Sequence, residues 1–285
     1  MTSPSAPRVS VVIPTYNMEL HIERTIQSAT KQTFKSIEII VVDDCSTDST
    51  AEIVLSLASA DPRIRYTRLD RNSNLPAVPR NVGILSSKGE YIALLDHDDT
   101  WTPRKIERQV ALLDRDSRID MVHAPLWVHV QGNPLRGMLR LPNPLRLRTT
   151  LNTLLKRNTV MCSSVVFRRS AIERTGAFSE DPKLRTVEDY ELWLRMATSG
   201  VIAFQPFICG IYFLTVGGAL SQENTRVRLD YLRSSSGLAI RAISTSRVND
   251  ILAQLAFVPI ILAIIATYEV MSALRTRVHR GRAAT

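Results

Sequence analysis

Short apolar runs alternate with amphipathic stretches through the first 115 residues. Residues 9–13, VSVVI, are nearly all β-branched and apolar at successive positions, the pattern of a strand buried on both faces. Residues 37–42 and 91–95 repeat this pattern, and residues 64–69 alternate. Helical spacing lies between them. Leu20, Ile22, Ile26 and Ala29 share a face over residues 19–33, and a second helix opens on capping residues 46–50 and runs to about 58. A third covers 81–87 behind Pro79, and a fourth runs to about 113 with Thr102 as N-cap and Pro103 in its first turn. This alternation predicts an α/β fold, a mostly parallel, Rossmann-like sheet with helices on both faces. The strands end in polar residues: 14–17, then Asp43 and Asp44, then Asp96 to Asp99. In such folds ligands bind beyond the carboxyl ends of the strands.

Past residue 116 the pattern loosens to strands at 121–130 and 162–167 and a helix at 188–199. Residues 121–172 contain no acid but hold Arg136, Arg140, Arg146, Arg148, Lys156, Arg157, Arg168 and Arg169 among leucines. Two readings stand: a solvated basic surface, or a face for an acceptor phosphate or an anionic membrane. Residues 251–266 are apolar apart from Gln254 and Pro259, and Arg275, Arg277, Arg280 and Arg282 follow. A full span needs about 20 apolar residues. This stretch predicts a C-terminal hydrophobic helix in or on a membrane with a basic cytoplasmic flank, or else a docked core helix.

The chain of 285 residues is 45% hydrophobic, enough for a sizeable core. Its three cysteines, Cys45, Cys162 and Cys209, form no CxxC pair, which argues against a zinc site or a disulfide scaffold and suits a reducing compartment. A net charge of +9 points to an anionic partner; nucleic acid would rest on that charge alone and is not expected. The first eight residues hold no apolar run of the kind a signal peptide needs.

The chemistry concentrates in GEYIALLDHDD at 89–99. Carboxylates gathered at the end of an apolar strand repel one another, and folding alone gives no reason to collect them. A hard divalent cation does, because such ions are shared between carboxylates and substrate phosphates. If strand geometry persists, Asp96 and Asp98 face one way and His97 and Asp99 the other, making a D-x-D clamp; a capped polar turn is the plainer alternative.

Taken with VSVVIPTYN at 9–17, VVDDCSTDST at 41–50, PRNVGI at 79–84 and EDYELWLRMA at 188–197, this segment resembles the family 2 glycosyltransferases, inverting enzymes of GT-A fold that use nucleotide-diphosphate sugars. The resemblance implies a catalytic domain over 1–235, with a nucleotide-sugar half at 8–115 and an acceptor half at 116–235, followed by the tail at 236–285. It implies a nucleotide site of Pro14, Tyr16, Asn17, Asp43, Asp44, Arg80, Asn81 and Asp96. Tyr16 would face the base, Asp44 would accept from it, and Asp43 would order the turn. Asp98, with Asp96, would hold Mn2+ or Mg2+. Asp189 would be the general base and Glu188 would orient it. Trp193 could stack on an acceptor sugar or pack in the core. The partners implied are a nucleotide-sugar donor, UDP-linked by preference, a saccharide or lipid-linked acceptor, and the inner face of a cell membrane. The family's Tyr-Arg-x-His loop reads Tyr212, Phe213, Leu214, Thr215 here, without the Arg and His. That leaves a non-catalytic sugar-nucleotide-binding or membrane-binding member of the fold as an alternative. A nucleotidyltransferase is disfavoured by the lack of a Gly-rich loop after the first strand.

Overall fold

The structure, a computed structural model, describes residues 6–130, 137–139, 147–156 and 158–214. Its strands are β1 (Val9–Thr15), β2 (Ile37–Asp43), β3 (Ile64–Arg68), β4 (Tyr91–Leu94), β5 (Thr100–Trp101), β6 (Ile119–His123), β7 (Leu126–Val130), β8 (Gly137–Leu139), β9 (Arg148–Thr149), β10 (Val166–Arg168), β11 (Val201–Phe204) and β12 (Gly210–Leu214). The helices are α1 (Ile22–Thr30), α2 (Thr50–Ala60), α3 (Ala77–Ser86), α4 (Lys105–Arg115), α5 (Leu151–Lys156), α6 (Arg169–Thr175) and α7 (Glu188–Ser199).

The large sheet runs β3-β2-β1-β4-β10-β6-β11-β9. The β3-β2-β1-β4 half is parallel, β6 and β11 continue parallel to each other, and β10 and β9 run against their neighbours. The continuous apolar runs are explained by cover on both faces. Val12, Ile92 and Leu94 enter one core with Trp193 and Phe167, whereas Val11, Ile13, Ala93 and Leu95 enter the other with Ile26 and Ile106. Side chains at successive strand positions point to opposite faces, so both sets must be apolar. Helix α3 lies flush on β1, because a Cβ on Gly83 would stand 2.4 Å from Val12 Cγ1.

Several boundaries differ from the sequence expectation. Residues 121–130 are two strands parted by Pro125, with β6 in the large sheet and β7 in a second sheet ordered β5-β12-β7-β8. Proline supplies no N–H to a ladder, and the chain changes sheets there. Residues 162–167 begin as a 3-10 turn, Cys162–Ser164, before β10. Helix α3 starts at Ala77, so Pro79 sits in its first turn, where a missing N–H costs nothing. Helix α4 starts at Lys105, and the Thr102 hydroxyl donates to the Ile208 carbonyl instead of capping it. Arg168 and Arg169 are not part of a free basic face. Arg168 donates to the Leu113 and Ile119 carbonyls and Arg169 to the Gly89 carbonyl, so both fasten the frame. Arg136, Arg140, Arg146, Arg157 and the whole tail from 215, including 251–266, lie outside the described residues. Among the described residues no helix is long and apolar enough to cross a membrane.

Candidate active site

Strands β2, β1 and β4 are neighbours, and their carboxyl ends carry Asp43–Asp44, Pro14–Asn17 and Asp96–Asp99. At the first two ends the chain is knitted together. Asp43, fully buried, accepts from Ser46 N at 2.9 Å, Ser46 Oγ at 2.5 Å and Tyr66 OH at 2.6 Å. Ser46 Oγ in turn accepts from Asn17 N, and Asn17 Oδ1 accepts from Thr47 N. Asn17 and Cys45 both take left-handed backbone (φ 48° and 65°), which turns the chain sharply at each strand end. Pro14 is buried beside Val42. Tyr16 leaves 40% of its surface exposed at this edge. The Asp44 carboxylate accepts from Ser73 N at 2.8 Å and Ser73 Oγ at 2.9 Å, bringing residues 72–74 to the same edge.

The 96–99 segment is a turn, closed by Asp99 N donating to Asp96 O, so strand alternation does not extend past Leu94. Helix α1 holds it from one side: Thr25 Oγ1 donates to the carbonyls of His97 (2.8 Å) and Asp99 (2.9 Å), and Arg24 Nη2 to that of Asp98 (3.0 Å). Ser163 holds it from the other, accepting from Asp96 N at 3.0 Å and donating to Asp99 Oδ2 at 2.5 Å. Asp99 Oδ1 accepts from Phe213 N at 3.2 Å. Burial, together with the charges of Asp96 and Asp98, pushes the Asp99 carboxyl well above the ordinary range. Burial and Asp96 also raise Asp98, against the pull of His97.

Asp96 and Asp98 then part ways. Asp96 Oδ1 accepts from Arg80 at 2.8 Å, whereas Asp98 makes no ion pair among the described residues. Arg80, 7% exposed, also donates to Glu188 Oε1 at 2.6 Å and stands over the Phe178 ring. One guanidinium therefore ties the end of β4 to the first turn of α7. Glu188 is buried, and among the described residues its Oε2 has no hydrogen-bond partner. Asp189, half-buried beside it, is raised to about 7, by burial first and then by the Glu188 charge, with Arg80 opposing.

Two expected residues face elsewhere. Trp193 is fully buried, edge-on to Phe178 at 6.2 Å and tilted to Phe167, so it is a core residue and presents no face to an acceptor. Asn81 spends its amide on the 178–180 segment: Oδ1 accepts from Phe178 N, and Nδ2 donates to Phe178 O and Glu180 Oε1. It braces the approach to α7. Arg24 is the residue that the motifs missed. Its guanidinium lies 3.9 Å from the ring centroid of Phe213, the position where the family's loop would have had its Arg, and among the described residues its buried Nε has no hydrogen-bond partner. Only the amphipathic spacing of α1 hinted that this helix would lie against the aspartates.

Among the described residues no three His, Cys, Asp or Glu side chains converge to hold a metal ion by themselves. The donor set fits a cation shared with a substrate. Among the described residues Asp98 makes no ion pair, and Asp96 keeps a second oxygen beside its Arg80 bond.

Comparison with known proteins decides the lineage. Residues 10–176 match the family described as Glycosyl transferase family 2. The chain is a family 2 glycosyltransferase. It is 33% identical over 218 residues to TuaG of Bacillus subtilis (strain 168), a glycosyltransferase assigned to teichuronic acid biosynthesis, covering 76% of this chain and 82% of that one. It is 30% identical over 234 residues to the Escherichia coli UDP-Glc:alpha-D-GlcNAc-diphosphoundecaprenol beta-1,3-glucosyltransferase WfaP, covering 82% and 88%. In fold, this glycosyltransferase resembles S. aureus TarS 1-349 in complex with UDP-GlcNAc (TM-score 0.65, 21% identity, 80% of this chain and 66% of that one). It also resembles the mannosyltransferase PcManGT from Pyrobaculum calidifontis with GDP-Man and Mn2+ (TM-score 0.58, 21% identity, 79% and 62%). The glycosyltransferase thus has the GT-A architecture, a large mostly parallel sheet with helices on both faces.

Proposed function

We propose that the chain transfers a sugar, with inversion, from a nucleotide-diphosphate sugar to a saccharide or lipid-linked acceptor during surface polysaccharide or glycolipid assembly. A UDP-sugar is favoured, since TarS was solved with UDP-GlcNAc and the E. coli relative is named for UDP-Glc and a diphosphoundecaprenol acceptor. The observation that supports the reading is Arg80 spanning Asp96 and Glu188, since Asp189, the general base in this reading, is the neighbour of Glu188.

In this reading the base lies on Tyr16 and donates to Asp44, which Ser73 already orients. A divalent cation, Mn2+ or Mg2+, held by Asp98 and Asp96, would neutralise the diphosphate as it leaves. Arg24 adds a fixed positive charge at the Asp98 end of the turn. On the acceptor side Asp189, with a carboxyl near 7, takes the proton of the attacking hydroxyl. Direct displacement at the anomeric carbon needs no enzyme nucleophile, so one base suffices and the configuration inverts. Glu188 is held by Arg80, leaving Asp189 as the carboxylate free to act. A cytoplasmic position at the inner membrane face follows from a lipid-linked acceptor; the segments that would touch the membrane lie outside the described residues.

The test is turnover of a panel of UDP- and GDP-sugars with and without Mn2+, with Asp189→Asn as control. Released nucleoside diphosphate that depends on both the cation and Asp189 is expected. Nucleotide binding without turnover across a broad acceptor panel would favour the non-catalytic alternative.

A further inference from the structure

A buried lysine beneath the aspartate turn is unexplained by packing. Lys105 in the first turn of α4 is fully buried. Its Nζ lies 4.1 Å from the Trp101 ring centroid and donates to the Val165 carbonyl at 3.2 Å. Burial lowers it to about 7. A buried amine that meets only a neutral carbonyl is poorly compensated for its lost hydration, and a methionine would fill the same space without that cost.

Two neighbours do the same kind of work. Trp101 Nε1 donates to Ser163 O at 2.7 Å, and Gln109 Nε2 to Ser164 O at 2.8 Å. Three consecutive carbonyls, 163 to 165, are therefore each met by a different buried side chain. Ser163 and Ser164 end the 3-10 turn and Val165 links it to β10, a junction where the backbone alone leaves carbonyls without donors. The residue so fixed is Ser163, the one that accepts from Asp96 N and donates to Asp99 Oδ2.

We propose that Lys105, with Gln109 and Trp101, is a positioning residue that sets the height of the 163–165 turn, and through Ser163 the placement of the aspartates that receive the cation and the donor diphosphate. The proposal rests on the donor-site reading above. Amine and ammonium both donate to a carbonyl, so the clamp works in either protonation state. Lys105 touches neither donor nor cation; it acts through the turn.

The test measures Mn2+·UDP and Mn2+·GDP binding by calorimetry, and thermal midpoints, for the full chain, Lys105→Met and Gln109→Met. The nucleotide that the unmodified protein binds more tightly is used for the comparison. At least a tenfold loss of affinity in Lys105→Met is expected, with a smaller loss in Gln109→Met and cooperative unfolding in both. In the double variant Lys105→Met/Gln109→Met the loss should fall short of the product of the two single losses, because both residues hold one turn. Affinities within twofold of the unmodified protein, beside a lowered thermal midpoint, would make these ordinary fold residues and overturn the proposal. If Lys105→Met does not fold, Gln109→Met alone decides on the same two criteria. An unmodified protein that binds neither complex would overturn the donor-site reading itself, and this proposal with it.

Discussion

Arg80→Met is the most incisive perturbation of the site. It removes the one guanidinium between Asp96 and Glu188 while keeping an unbranched apolar side chain over Phe178. Removing one partner of a buried pair costs about 3–5 kcal/mol, because the remaining charge is left without compensation. Here two carboxylates lose their partner, and Glu188 Oε2 already has none among the described residues. Against a total stability of about 5–15 kcal/mol, the variant should unfold about 10 °C lower, at roughly 2–4 °C per kcal/mol for a domain of this size. Arg80 also holds Asp189 down, so its loss moves that carboxyl above about 7. A carboxyl raised in the fold contributes stability that is present below its unfolded value and lost as pH rises through the folded one. The penalty should therefore be larger at pH 8 than at pH 5. Urea unfolding at both pH values checks this, with Arg80→Met/Glu188→Gln as the second arm. Removing the buried charge along with its partner should recover at least 1 kcal/mol of the loss. A single variant that loses less than about 1 kcal/mol, or a double variant less stable than the single, would refute the idea that Arg80 neutralises the centre.

Asp189→Asn should abolish transfer yet stabilise the protein at pH 8 by about 1 kcal/mol, because the amide does not titrate; equal stability at pH 5 and pH 8 for the unmodified protein would contradict the raised carboxyl. Transfer by the unmodified protein should rise with pH through about 7, the value to which burial and Glu188 bring the base. Asp98→Ala should lose Mn2+-dependent turnover at nearly unchanged thermal midpoint, which is checked by assay and melting in parallel; normal turnover would remove Asp98 from the cation site. Asn81→Ala should cost about 1–3 kcal/mol by stranding the Phe178 N–H and C=O, with Mn2+·UDP affinity preserved. Trp193→Phe should lower the melting temperature while leaving the acceptor KM unchanged.

How legible each part was depended on whether its determinants were local. The strands at 9–13, 37–42 and 91–95 and the helix at 188–199 follow from periodicity, and the structure places strands or a helix over each. Asp43 as the residue that orders the turn is likewise local, since its partner Ser46 is three residues away. Direction is what a motif does not carry. Asn81 follows Arg80 in sequence, but on a helix adjacent residues diverge by about 100°, so one meets the carboxylates and the other the 178–180 segment. Trp193 lies four residues past Asp189, but the first turn of α7 is at the site while the next is already in the core. Arg24, Thr25 and Ser163 reach the aspartate turn, and Lys105 the Val165 carbonyl, across 60 to 74 residues, and beyond the amphipathic spacing of α1 no local pattern announces such contacts.

The place of β10 in the sheet has a consequence for how the chain is made. It lies between β4 and β6, yet it leaves the ribosome after both. Until residue 168 has emerged, β4 keeps one edge of unpaired N–H and C=O groups along Tyr91–Leu94, a template for pairing with other chains. A nascent chain paused near residue 116 holds β1 to β4 but presents this open edge, and Arg80 still lacks Glu188, its second carboxylate, 108 residues downstream. Fragments that stop before β10 should therefore aggregate even though they contain every residue assigned to nucleotide binding.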